Sequence, residues 1–224
     1  MSTFKELVYM VMDELKLHSD DAVYTEDHVL FLLNKYRAFL LKQKYSDIRR
    51  QIPESNYQTL KFDLVENTPV IGDFFLDNSY LVSTKELPFL LPVGTVSVYP
   101  LNYYKEEITL ISKDRMKYVG NTRYLRNIIY ASIGPDNYLY FKSTNIQHLY
   151  LSNVKVTGVF EDPIAVYNEQ GITDVLDVKF PLEDALVPPL IELVVKELLG
   201  ALYRPEDTEN NAKDDLSEVT IQKS

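Results

Sequence analysis

Three histidines, His18, His28 and His148, are the imidazoles this chain offers for metal binding or proton transfer. Two of them lie ten residues apart across a helix start, and the third is remote. A metal centre would need all three to converge with carboxylates, so surface or half-buried side chains are the plainer reading. Asp20-Asp21 and Asp214-Asp215 are adjacent pairs whose side chains diverge in helix or strand. Asp73 and Asp77 flank Phe74-Phe75-Leu76, and Asp174 and Asp177 flank Val175-Leu176. Neither set matches a Ca²⁺ loop, which alternates oxygen ligands around a central glycine and closes on a distal glutamate. Two acids from distant strands could serve a glycosidase, and spacing neither identifies nor excludes that pair. The absence of cysteine removes disulfides, thiolate ligands and cysteine nucleophiles together. Seven glycines, from Gly72 to Gly200, stand apart, with no phosphate-cradling G-x-G-x-x-G or G-x-x-x-x-G-K-S and no G-x-S-x-G nucleophile turn. The expectation is a protein without catalytic residues, metal ligands or cofactor.

Two other groups of residues carry recognition chemistry. The chain has 17 Tyr and 10 Phe beside 7 Gly, and no Trp. Tyr99, Tyr103, Tyr104, Tyr118, Tyr124, Tyr130, Tyr138, Tyr140 and Tyr150 gather in its middle. Aromatic faces stack sugars or bases and supply rigid interface anchors, while tyrosine also suits half-buried strands with its hydroxyl reaching water. Without tryptophan, a protein–protein surface fits better than a carbohydrate groove, which Tyr138 and Tyr140 would otherwise carry. Lys113, Arg115, Lys117, Arg123 and Arg126 form a local cationic run. It reads either as a solvated loop paired with acidic neighbours or as a subunit contact against an acidic tail.

Positioning these residues falls to three zones. In the first, Phe4, Leu7, Val8, Val11 and Leu15 recur with helical spacing. After His18-Ser19-Asp20-Asp21, Thr25 offers an N-cap, with Glu26 and Asp27 in the first turn. Val29, Leu32, Leu33, Tyr36 and Leu40 make the inward stripe, with Phe31, Phe39 and Leu41 off it. An apolar set that wide implies neighbours on more than one side. The spacing predicts a helical hairpin. Residues 57–160 alternate as strands over Gln58–Leu64, Tyr80–Ser83, Thr95–Tyr99, Glu107–Ser112, Met116–Val119, Asn127–Ile133, Tyr138–Lys142 and Asn153–Phe160. Between them, Gly134-Pro135-Asp136-Asn137 is the clearest hairpin turn. In the third zone Asp162-Pro163 opens a short helical turn, and Pro188-Pro189 set the first turn of a helix reaching Tyr203. Leu190, Leu193, Val194, Glu197, Leu198, Ala201 and Leu202 trace its stripe. The fold class is therefore α+β, with N- and C-terminal helices packed together and bracketing a mainly antiparallel β sandwich or barrel-like insertion. Residues 1–56 and 161–204 would form the helical domain, 57–160 the β domain and 205–224 a polar acidic tail.

Composition narrows the partners. With 25% charged and 46% hydrophobic residues, the 224-residue chain is of ordinary globular make-up. Its formal net charge of −10 argues against a general phosphate-backbone binder. The N-terminal stretch carries Glu6, Asp13 and Glu14, unlike a signal peptide. Leu186 to Tyr203, the longest apolar segment, is broken by Glu192, Lys196 and Glu197 and falls short of a membrane span.

A resemblance adds to this reading. Leu15-Lys16-Leu17, Thr25-Glu26-Asp27-His28-Val29 and Leu33 to Lys42 resemble the N-terminal helical hairpin of tailed-phage structural proteins. Val187-Pro188-Pro189-Leu190 through Leu198, with Arg204-Pro205-Glu206-Asp207, carries the likeness at the other end. Together they are similar to structural proteins of crAss-like podophages, of the head-to-tail connector adaptor type. That resemblance implies a non-enzymatic virion subunit, assembled in the host bacterial cytoplasm. It implies a ring homo-oligomer, a dodecamer being one option, that joins portal to tail and to other ring proteins. DNA would meet it only in passing through a channel. Expected assembly contacts are Arg37, Arg204 and the segment containing Val187, Leu190, Val194, Leu198 and Leu202, with Arg115, Arg123, Arg126, Tyr138 and Tyr140 on the β surface. A carbohydrate-binding or hydrolysing module and a tail or fibre-attachment component are the alternatives.

Overall fold

Helix α1 (Phe4–His18) starts where Thr3 and Glu6 cap each other. Thr3 Oγ1 accepts from Glu6 N at 3.2 Å, and Thr3 N donates to Glu6 Oε2 at 2.9 Å. Helix α2 (Glu26–Lys44) begins at Thr25, whose Oγ1 accepts from His28 N at 3.4 Å. Near the other end of the chain, a 3₁₀ turn at Asp184–Leu186 runs straight into helix α4 (Val187–Leu202). Pro188 and Pro189 occupy its first turn, where the missing N–H groups have no partner to lose. The stripes foreseen on all three helices meet in one core. Phe4, Leu7, Val11 and Leu15 pack with Val29, Leu33 and Leu40, and with Leu190, Val194 and Leu198, and Leu41, expected off the α2 stripe, is fully buried among them. Phe180 lays its ring edge-on to Phe4 at 4.8 Å. The computed structural model describes residues 2–18, 24–47, 50–68, 79–101, 107–120 and 123–202, with the backbone alone of His18 and of the last two.

Among the described residues, seven strands make the middle: β1 (Gln58–Asn67), β2 (Tyr80–Ser83), β3 (Ser97–Pro100), β4 (Thr109–Leu110), β5 (Tyr130–Ile133), β6 (Leu139–Lys142) and β7 (Asn153–Gly158). Their order is β3-β7-β1-β2-β6-β5-β4, antiparallel except for β4 beside β5. Ile108, just before β4, donates to Val98 O on β3 at 2.8 Å and bridges the two edges. The sheet is thereby a nearly closed barrel, the α+β arrangement expected from the sequence. Along β1, Leu60 and Phe62 point inward while Lys61 and Asp63 face water. They share the interior with Val98, Leu139, Phe141, Val154 and Val156.

The Gly134–Asn137 turn joins β5 to β6 as its residues foretell. Asn137 N donates to Gly134 O at 3.1 Å, and Asn137 itself takes a left-handed φ of 59°. One expected strand is absent. Met116–Val119 lies instead within and just after a 3₁₀ turn, Lys113–Tyr118. Apolar Met116, charged Lys117 and aromatic Tyr118 alternate as in a strand, but only Met116 is deeply buried, wedged against Tyr80 and Tyr130. A turn can bury that single plug without a partner strand.

The helical core and the barrel interlock. Leu91, Val93 and Val159 leave the β region to join the helices. In return, helix α3 (Pro163–Glu169), capped by Asp162 through a 2.9 Å bond from Ile164 N, sends Val166 into the barrel core. Gln58 Nε2 on β1 donates to Pro163 O at 3.4 Å, and Gln170 Nε2 donates to Thr59 O at 2.7 Å. Helix α3 is thus fastened to β1.

Candidate assembly interface

Arg37 sits on α2 one turn from Leu33 and one from Leu41, on the buried face of the helix. Its side chain is wholly excluded from water. Nε donates to Pro181 O and Nη1 to Phe160 O, both at 2.8 Å. Burial lowers the guanidinium to about 10, against the opposing pull of Tyr167 and Asp162, so it stays charged at neutral pH. Arg37 therefore clamps α2 to the chain leaving the barrel and to the chain entering α4. Close by, Lys44 Nζ and Tyr45 OH both reach Glu183 Oε1, at 2.6 and 2.8 Å. Burial and that bond push the Tyr45 phenol up to about 12.

The other expected contacts divide by exposure. Leu190, Val194 and Leu198 are core residues facing α1 and α2, and Val187 is half-buried at the start of α4. The Leu202 side chain and Arg204 lie outside the described residues, as does the tail beyond. Tyr138 and Tyr140 are half-buried on the β6 hairpin. The Tyr140 hydroxyl donates to Asp136, its ring lies 6.0 Å from Tyr80, and Lys113 Nζ stands 5.3 Å above it. These tyrosines build the hairpin.

Arg115, Arg123 and Arg126 are exposed. With Met116 as its buried plug, the 3₁₀ turn throws Arg115, Lys117 and Tyr118 outward. The segment carrying Arg123 and Arg126 is stitched beside it. Thr144 Oγ1 donates to Arg126 O at 2.9 Å and lies 3.4 Å from Gly120 O, and Ser143 Oγ donates to Ile128 O at 3.0 Å. A side chain at Gly120, which has a φ of +83°, would strike Thr144. The outcome is one face on which Tyr118 is 70% and Tyr124 91% exposed among arginines. Tyrosine and arginine are the residues enriched where proteins meet.

A second surface escaped the sequence reading. A cleft of about 490 Å³ opens between the first half of α2, α3 and residues 173–176. Leu30, Phe31, Ile164, Val175 and Leu176 give it apolar walls, and Glu26, Asp27, Asp162 and Asp174 line it with carboxylates. Neither lysine nor arginine lines it. Asp162 is held by Ile164 N and by Asn34 Nδ2 at 3.2 Å, and Asp174 by Leu176 N at 3.2 Å. Phe31, the aromatic off the α2 stripe, stands 63% exposed at this site.

His28 and His148 stay apart in role, and the His18 side chain lies outside the described residues. His148 is buried, with Nδ1 2.7 Å from Asn145 O, and burial lowers its pKa below the ordinary value. His28 stacks on Tyr24 with ring centres 6.1 Å apart. Among the described residues, no group of three histidines or acids could hold a metal ion. Nor is any described helix long and apolar enough to cross a membrane.

Two comparisons bear on this geometry. A family model described as phage tail ring protein 2 matches residues 6–216. Ring protein 2 of Bacteroides phage crAss001 is 55% identical over 223 residues, covering 97% of this chain and 99% of that protein.

Proposed function

The chain belongs to the phage tail ring protein 2 family, a structural component of the virion, and from that premise we propose that it is a subunit of the ring connecting portal to tail. In this reading the subunit works without catalysis. Copies close around a channel, one face of the ring meets the portal and the other meets further ring or tail proteins, and assembly takes place in the host bacterial cytoplasm. DNA is a passing occupant. The observation that carries the reading is the family match from residue 6 to residue 216, which spans the helices and the barrel alike.

Physical chemistry supports the parts. A net charge of −10 suits a wall along which DNA slides, because like charge keeps phosphates from sticking. The interlocked cores suit a piece that carries mechanical load, since Arg37 fastens α2 to the barrel exit at Phe160 and to Pro181 on the chain leading to α4. A carbohydrate reading gains nothing from Tyr140, whose ring is engaged by Tyr80 and Lys113. Native mass measurement on the purified chain, alone and with the portal protein, tests the proposal. It predicts a multi-copy ring that gains mass with portal. A persistent monomer that ignores the portal overturns it.

A further inference from the structure

A ring of identical subunits needs two different surfaces per copy, complementary to each other and placed apart. The cleft beside α3 and the tyrosine–arginine face meet each of those conditions. The first is charge and shape. Tyr118 and Tyr124 project from a face carrying Arg115, Arg123 and Arg126, whereas the cleft is concave and apolar-walled, with Phe31 exposed and Glu26 and Asp27 among its carboxylates. The second is placement. Helix α3, one wall of the cleft, is fastened to Gln58 and Thr59 at the start of β1, and the 3₁₀ turn of the cationic face packs through Met116 on Tyr130 of β5 and on Tyr80 of β2, which pairs with Asn67 at the other end of β1. The two surfaces therefore lie toward opposite ends of β1, the cleft by Gln58 and the cationic face by Asn67.

We infer that the tyrosine–arginine face of one copy docks into the cleft between α2 and α3 of the next copy, forming the heterologous contact that closes the ring. The inference rests on the ring reading above and names its subunit contact. Tyrosine rings supply rigid apolar area against Phe31, and the arginines set orientation against the carboxylates. Such a contact weakens as salt screens it. The acidic stretch Glu206 to Glu218 is the competing occupant of the cationic face.

Charge reversal on the full chain tests this. Arg123→Glu/Arg126→Glu and Glu26→Lys/Asp27→Lys are each expected to lose the assembled mass at concentrations where the parent forms rings. Mixing the two is expected to restore it, because alternating copies then present opposite charges at every contact. Combining all four substitutions in one chain should restore it too. Thermal melts of each variant verify folding. If the lysine pair lowers the melting temperature, Glu26→Gln/Asp27→Asn substitutes for it and should weaken assembly without reversing charge. Rings from either reversed variant alone, or no rescue on mixing, overturn the inference. So does rescue of Arg123→Glu/Arg126→Glu by Asp214→Lys/Asp215→Lys, which assigns the face to the tail. A parent chain that never assembles overturns the ring reading itself, and this contact with it.

Discussion

A guanidinium held away from water depends on its few partners, and Arg37 gives Nε to Pro181 O and Nη1 to Phe160 O while its buried Nη2 finds none among the described residues. Truncation to alanine strands both carbonyls and opens a cavity. Arg37→Ala is accordingly expected to cost about 2–5 kcal/mol, read as a lower urea midpoint at unchanged slope. Arg37 was legible as an α2 residue offered for contact but not as a buried one, since the spacing left Leu41 off the apolar stripe. Its partners were not, because Phe160 and Pro181 approach through tertiary structure alone. His148 makes a pH prediction. Its folded pKa lies below the ordinary 6.5, so the unfolded chain takes up the proton first as pH falls. The contribution of His148 is present above about pH 6.5 and is lost as pH drops toward the folded value. Melting temperatures at neutral and mildly acidic pH should therefore differ less in His148→Gln than in the parent, since glutamine cannot titrate.

Elements show where local rules suffice. The β5–β6 hairpin follows from Gly134-Pro135-Asp136-Asn137, because proline and a residue tolerant of positive φ dictate that turn. A Cβ at Gly134 would collide with Asp136 Oδ1 and the Tyr140 ring. Gly134→Ala should thus destabilise by about 1–3 kcal/mol, the scale of overpacking, seen as a reduced melting temperature. Helix α4 was equally plain as a helix, yet which surface its stripe covers could not be read from spacing. The structure turns Leu190, Val194 and Leu198 onto α1 and α2. Leu190→Ala is expected to cost about 2–5 kcal/mol of folding stability in the isolated chain, measured by urea unfolding. The stretch around Met116 misleads because Met116, Lys117 and Tyr118 imitate the alternation of a strand, whereas the chain there folds as a turn with Met116 packed on Tyr80 and Tyr130.

At the scale of the whole molecule, the fold class was visible because helical and strand periods occupy separate blocks of the chain. The cleft was not, since it is gathered from residues near 26, 162 and 174, each unremarkable alone. Closure of the barrel was hidden for the same reason: one bridge, Ile108 to Val98, joins its edges. Those long-range arrangements put an apolar-walled acidic cleft and a tyrosine–arginine face toward opposite ends of β1. The measurement that tests the central claim most directly is a density map of the assembled particle. The account predicts copies of this chain closed into a ring between portal and tail, each with Tyr124 and Arg123 against Phe31 and Asp27 of its neighbour. Density for this chain as isolated copies, or out among fibres away from the portal–tail axis, would contradict it.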